Sequence, residues 1–232
     1  MPEIILNGSE GRIEARYHHS ELKGAPIALV LHPHPLYGGT MNNKIVYRLF
    51  HTFVQNGFSV LRFNFRGVGK SQGSYADGVG ELADAATALD WLQAQNPDAP
   101  TCWIGGFSFG AWIALQLLMR RPEIEGFVAV SPPANLYDFS FLAPCPSAGL
   151  ITQGDKDDVV HEDMVAKLAE RLGANQFNPV EYKLIHGADH YYRGVEEELG
   201  AVVNDYVLQR MTDFKQKRKI RPDRKRRQLP RD

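Results

Sequence analysis

Apolar and polar positions along this chain follow two periods, one near two residues and one near 3.6. Glu3–Asn7 and Arg12–His18 are short runs separated by GSEG, which predicts a β-hairpin. Ile27–Leu31 (IALVL) is a compact apolar run that suits a buried strand. Lys44–Gln55 then carries Ile45, Val46, Leu49, Phe50, Phe53 and Val54 at helical spacing, and Gly57 ends it. Ser59–Phe65 predicts a strand, and Glu81–Leu92 a helix with Leu82, Ala85, Ala86, Leu89 and Leu92 on one face. The alternation continues with strand Thr101–Ile104, helix Ala111–Met119, strands Phe127–Val130 and Gly149–Thr152, and helix Met164–Leu172. Strand Val180–Ile185 and a final helix Val195–Met211 close it. Strands alternating with helices predict an α/β protein: a mostly parallel twisted sheet, helices on both faces, and the leading hairpin as an antiparallel edge. Ligands of such sheets sit outside the carboxyl ends of the strands, so chemistry belongs to residues just after each strand.

Length and charge refine this picture. The 232 residues suffice for one sizeable domain and are short for two. From Lys215 onward the chain holds ten of the 26 Lys+Arg and two of the 27 Asp+Glu, which leaves the body at −9 and the tail at +8. We expect one folded domain over residues 1–214 and a flexible, solvated basic tail over 215–232. Such a tail could bind nucleic acid, but no aromatic residue lies beyond Phe214 to stack on a base, and nucleic acid is not the expected partner. No apolar run approaches about 20 residues, so no membrane partner is expected. The first residues lack the pattern of a secretory signal, and two cysteines, Cys102 and Cys145, are too few for a disulfide framework. A reduced, cytoplasmic setting fits, and the sequence leaves a homo-oligomer open.

The chemistry starts at Gly106-Phe107-Ser108-Phe109-Gly110, a G-x-S-x-G between a predicted strand and a predicted helix. A serine on such a sharp turn presents Oγ to the cleft, and the following helix offers its N-terminal N–H groups to a developing negative charge. A serine hydroxyl needs a base to take its proton. Ile185–Tyr191 (IHGADHY) follows the last predicted strand and offers His186, which abuts the strand, and His190, which lies beyond Gly187; His190 is the candidate base. The acid that orients it is sought in LITQGDKDDVV, where Asp155 sits next to Gly154 as a turn brace, Asp157 is first choice and Asp158 second.

The stretches LHPHPLYGGTMNNK, FNFRGVGKSQG, GGFSFGAW, QGDKDDVV and GADHYY resemble serine hydrolases of the α/β-hydrolase superfamily, and more narrowly the small bacterial hydrolases related to dienelactone hydrolases. The resemblance covers about residues 3–211 and implies the α/β-hydrolase fold, with Ser108 as nucleophile, Asp157 as acid and His190 as base. Dienelactone hydrolases proper use a cysteine where this elbow carries Ser108, so dienelactones do not follow as substrates. The loop after Ile27–Leu31 is where the superfamily places the second half of the oxyanion hole. The first half is the N–H of Phe109. Pro33 and Pro35 have no N–H, so only His34, Leu36 or a later residue can donate; by resemblance His34-Pro35-Leu36 takes the place of the superfamily's His-Gly-X, which implies Leu36 as first choice and His34 as second.

Two other motifs are set aside. Gly69-Lys70-Ser71 mimics the end of a phosphate-binding loop, but Asn64 stands where that loop needs glycine. His32 and His34 lack the further ligands that a zinc site requires, so neither metal nor cofactor is expected. The span SPPANLYDFSFLAPCPSA is too short for a cap domain, so the site should be open, walled by Tyr37, Phe107 and Phe109, with Tyr137, Phe139 and Phe141 as further aromatics. The expected activity is hydrolysis of small carboxylic esters or thioesters through an acyl-enzyme. A peptidase or amidase of the same fold is the alternative, and a non-catalytic binding or scaffold protein is a third.

Overall fold

The computed structural model describes residues 3–142, 144–173 and 178–220. Among these residues eight strands form one sheet in the order β1-β2-β4-β3-β5-β6-β7-β8. They are β1 (Glu3–Gly8), β2 (Gly11–His18), β3 (Ile27–Leu31), β4 (Ser59–Phe63), β5 (Cys102–Phe107), β6 (Ile124–Val130), β7 (Ala148–Gly154) and β8 (Val180–Ile185). β1 and β2 form the expected antiparallel hairpin, β2 runs antiparallel to β4, and the remaining pairs are parallel. Every residue of β3, β4, β5 and β7 is buried, as strands covered on both faces require.

Among the described residues five helices cover the sheet: α1 (Lys44–Gln55), α2 (Val79–Gln95), α3 (Phe109–Leu118), α4 (Glu162–Gly173) and α5 (Glu196–Ile220). Ile45, Leu49, Phe50 and Phe53 of α1 meet Leu199, Val203 and Val207 of α5 over one face. Leu89, Ile113, Leu117 and Leu168, from α2, α3 and α4, pack over the other. The sheet thus separates two apolar layers, and the stripes that predicted the helices are the faces they bury. This is the α/β-hydrolase fold. Between β6 and β7, the described residues add only a short 3-10 turn, Ser140–Leu142, and no cap domain.

Boundaries moved where tertiary contacts extended an element. α2 begins two residues before its predicted start because Glu81 accepts the N–H groups of Ala76 and Gly78 (3.0 and 2.8 Å) and caps the first turn. α5 continues through the first six residues of the expected tail, to Ile220. The rest of that tail, 221–232, lies outside the described residues.

Candidate active site

The elbow is built by close approach. A Cβ on Gly106 would run into the backbone of Gly110, and one on Gly110 into the carbonyls of Leu31 and His32. The two glycines therefore let α3 sit directly on the ends of β5 and β3. Between them Ser108 adopts φ 52° and ψ −120°, a conformation that L-residues rarely hold. Its N–H donates to the Val130 carbonyl (2.8 Å), and its own carbonyl accepts the N–H of Ala111 (2.8 Å). The N–H of Phe109, at the first position of α3, has no intrahelical acceptor.

β7 and β8 bring the other two residues together. His190 Nδ1 lies 2.8 Å from Asp157 Oδ2, and the pair is almost wholly buried, with side chains 6% and 0% exposed. Asp157 Oδ1 accepts the N–H groups of Val159 and Val160 (2.9 and 2.7 Å), and Gln153 Nε2 donates to Oδ2 (3.0 Å). Burial alone would raise the Asp157 carboxyl, but the His190 hydrogen bond and charge with these N–H groups outweigh it and hold it below the usual range. An ionised carboxylate only accepts, so His190 carries its proton on Nδ1 and leaves Nε2 as the basic nitrogen. The Phe107 ring lies 5.1 Å from the imidazole, which sets His190 beside the elbow. Among the described residues no hydrogen bond joins Ser108 Oγ to His190.

The decoy residues fall elsewhere. Asp155 accepts the Gly187 N–H (2.7 Å) and lies 3.1 Å from Nδ1 of His186, whose side chain is 81% exposed. That pair braces the turn that carries His190. Asp158 is exposed. Phe107, expected to wall the site, is wholly buried in the α1–α5 layer: alternation along β5 turns its side chain under His190 and away from the cleft. Phe139 is likewise core, and Phe141 packs against it.

The loop after β3 assigns its histidines different tasks. His32 is fully buried; Nδ1 lies 2.6 Å from the Pro33 carbonyl and Nε2 accepts the Phe65 N–H (3.0 Å). Both nitrogens are engaged within the protein, and burial pushes the ring down to about 3, so it is neutral. Pro33 C=O and His34 N–H belong to one peptide unit and point in opposite directions when it is trans. By holding the carbonyl, His32 turns the His34 N–H away from itself, and among the described residues that N–H meets no acceptor. The Leu36 N–H, the first expectation for the oxyanion donor, instead donates to His34 Nδ1 (3.2 Å). A side chain at the cap of the 3-10 turn Pro35–Tyr37 has taken that donor. The His34 ring packs 4.7 Å from Tyr37, 4.9 Å from Tyr75 and 4.9 Å from Phe109, so this loop lies against the residue that follows Ser108.

Several supporting residues carried no recognisable sequence signal. Tyr192, two residues past His190, is wholly buried, and its hydroxyl lies 3.0 Å from Ser131 Oγ, tying the β8 loop to the end of β6. Buried Glu14 accepts Asn64 Nδ2 and the Lys70 N–H (both 2.8 Å), while Asn64 Oδ1 accepts the Met41 N–H (2.8 Å). The Gly-Lys-Ser loop thus gives its N–H to a protein carboxylate, as suits the rejection of a phosphate loop. Neither cysteine forms a disulfide among the described residues, both are buried, and burial pushes the two thiols up, away from nucleophilic use.

The site's class follows from this fold and elbow together with relatives. The model of the X-Pro dipeptidyl-peptidase (S15) family matches residues 11–219, and the chain belongs to that family within the α/β-hydrolase superfamily. It is a serine hydrolase of the α/β fold. An uncharacterized protein of Rickettsia prowazekii is 54% identical, over 98% of each chain. A solved protein of unknown function from Agrobacterium tumefaciens is 54% identical, with TM-score 0.89 over 91% of this chain and 97% of that one. A Xanthomonas campestris protein described as an a/b serine hydrolase without lid is 31% identical, with TM-score 0.80 over 90% and 94%.

Proposed function

We infer that this protein hydrolyses carboxylic esters or thioesters through an acyl-enzyme on Ser108. The observation that carries this is the buried Asp157–His190 pair beside a serine held at positive φ. His190 Nε2 takes the Ser108 proton as Oγ attacks the acyl carbon. The N–H groups of Phe109 and His34 receive the oxyanion. His190 then protonates the departing alcohol or thiol, and water, activated by the same nitrogen, releases the acid. Side chains and water suffice for every step. Tyr37, 82% exposed beside His34, is the substrate wall on that side.

Fluorophosphonate labelling should map to Ser108, and Ser108→Ala should abolish both label and ester hydrolysis. Full hydrolysis by Ser108→Ala would overturn the mechanism. The match to the X-Pro dipeptidyl-peptidase family favours a second reading, cleavage of amide bonds by the same groups. A panel of p-nitrophenyl esters against X-Pro amides separates the two, and faster turnover of the amides would select the second.

A further inference from the structure

The mouth of this site carries a collar of apolar side chains that the fold does not bury. Among the described residues the most exposed large apolar side chains are Tyr37 (82%), Val79 (80%), Leu36 (66%), Leu22 (63%) and Leu136 (62%). Of these, Leu36, Tyr37 and Leu136 adjoin rings that pack on Phe109, the residue after Ser108: His34 at 4.9 Å and Tyr137 at 6.0 Å. Leu36 and Tyr37 stand on the loop after β3, beside Phe109 through the His34 ring. Val79 opens α2, next to Gly78, which backs onto Trp112; the Trp112 ring stacks at 4.2 Å on Tyr137, the neighbour of Leu136. Val159 and Tyr191, both also exposed, complete the series after β7 and β8, next to the Asp157–His190 pair.

Topology spreads these side chains to both sides of the elbow. In the sheet β3 lies on one side of β5, and β6, β7 and β8 lie on the other, so the collar flanks the elbow in both directions. A single acyl chain leaving the serine would use one direction only. Apolar side chains standing on both sides of an uncapped site match a broad apolar surface. The exposed charges among them are mixed: Asp77, Asp138 and Asp158 against Lys156 and Arg193. That balance offers no attraction to an anionic surface.

We propose that the collar docks the open site onto the surface of an aggregated, zwitterionic or uncharged amphiphile, from which the ester is drawn. The proposal rests on the hydrolase reading for what is turned over, and on the collar alone for the docking. It takes the substrate beyond the small dissolved esters that the sequence suggests.

The test compares the wild type with the double variant Val79→Ser/Leu136→Ser. Neither residue belongs to the catalytic machinery. The wild type should co-sediment with phosphatidylcholine vesicles, and the double variant should bind them about tenfold or more weakly, the scale set by taking a valine and a leucine partly out of water. Hydrolysis of p-nitrophenyl laurate carried in those vesicles should fall in parallel, while hydrolysis of dissolved p-nitrophenyl acetate and labelling of Ser108 stay unchanged. Absence of vesicle binding by the wild type, or equal binding by the double variant, overturns the proposal. So does a dimer that dissociates in the variant, since a second copy would then be what the collar covers. Vesicle binding without Ser108 labelling leaves the docking standing and overturns the hydrolase reading; the reverse result does the opposite.

Discussion

The peptide between Pro33 and His34 is held by its carbonyl, and this one unit supplies the proposed second oxyanion donor. His34 has φ −53°, within the range that a proline ring imposes. His34→Pro therefore deletes the N–H without demanding a new backbone conformation, and His34→Ala deletes the ring while keeping the N–H. We expect His34→Pro to lose about 10²–10³ in kcat, the usual cost of one oxyanion donor, and His34→Ala to lose far less; steady-state kinetics on one ester checks both. His32 makes a separate prediction about pH. Its folded pKa is depressed to about 3, against 6.5 for an ordinary histidine. In the window between those values the unfolded chain binds a proton that the folded chain refuses. Stability is thus complete above the unfolded value and falls as pH drops through the window, by up to about 1.4 kcal/mol per pH unit. Urea unfolding at a series of pH values should show that slope in the wild type and a shallower one in His32→Gln.

At the scale of elements, the site is an assembly of loops after strands, each held by buried polar groups. The loop that follows β4 is pinned by Arg66, whose Nε and Nη2 meet the two oxygens of Asp84 on α2 at 3.0 and 2.7 Å. Both side chains are buried, 7% and 1% exposed, and the Asp84 hydrogen bonds hold the guanidinium above its ordinary range. Removing one partner strands the other charge in a low-dielectric setting. Asp84→Ala should therefore lower stability by about 3–5 kcal/mol, read as a shift in the urea midpoint. Tyr192 plays a comparable part for the β8 loop, at φ 54° with its ring fully buried, and Gly39 does so for the β3 loop, where a Cβ would strike the Pro33 and His34 carbonyls. The sequence placed these loops correctly after their strands but gave no sign of what holds the β4 and β8 loops, because Asp84 lies 18 residues from Arg66 and Ser131 lies 61 from Tyr192.

Across the whole molecule, α5 packs through Leu199, Val203, Tyr206, Val207 and Met211, all before the basic segment. Removal of residues 221–232 should leave turnover of a dissolved ester within about twofold, since the buried α5 residues of this layer all precede them. A larger loss in steady-state assays would tie that segment to the site. Period and local chemistry were enough to read the alternating elements, the two-faced sheet with its antiparallel edge, the elbow at Ser108, and the pairing of a β7-loop acid with a β8-loop histidine. These are legible because they depend on residue type and spacing within one segment. Side-chain direction and hydrogen-bond ownership are not. Phe107 reads as a site aromatic until β5 is seen to turn it into the core. The Leu36 N–H reads as free until the His34 ring is seen to accept it. His32, set aside as a metal ligand, has no evident task until Phe65 and Pro33 are found at its two nitrogens. The sequence by itself determined which groups could do acyl chemistry and after which strands they stand. Only the tertiary structure decided which N–H groups remain unpaired and which apolar side chains remain uncovered, because both depend on contacts between segments distant along the chain.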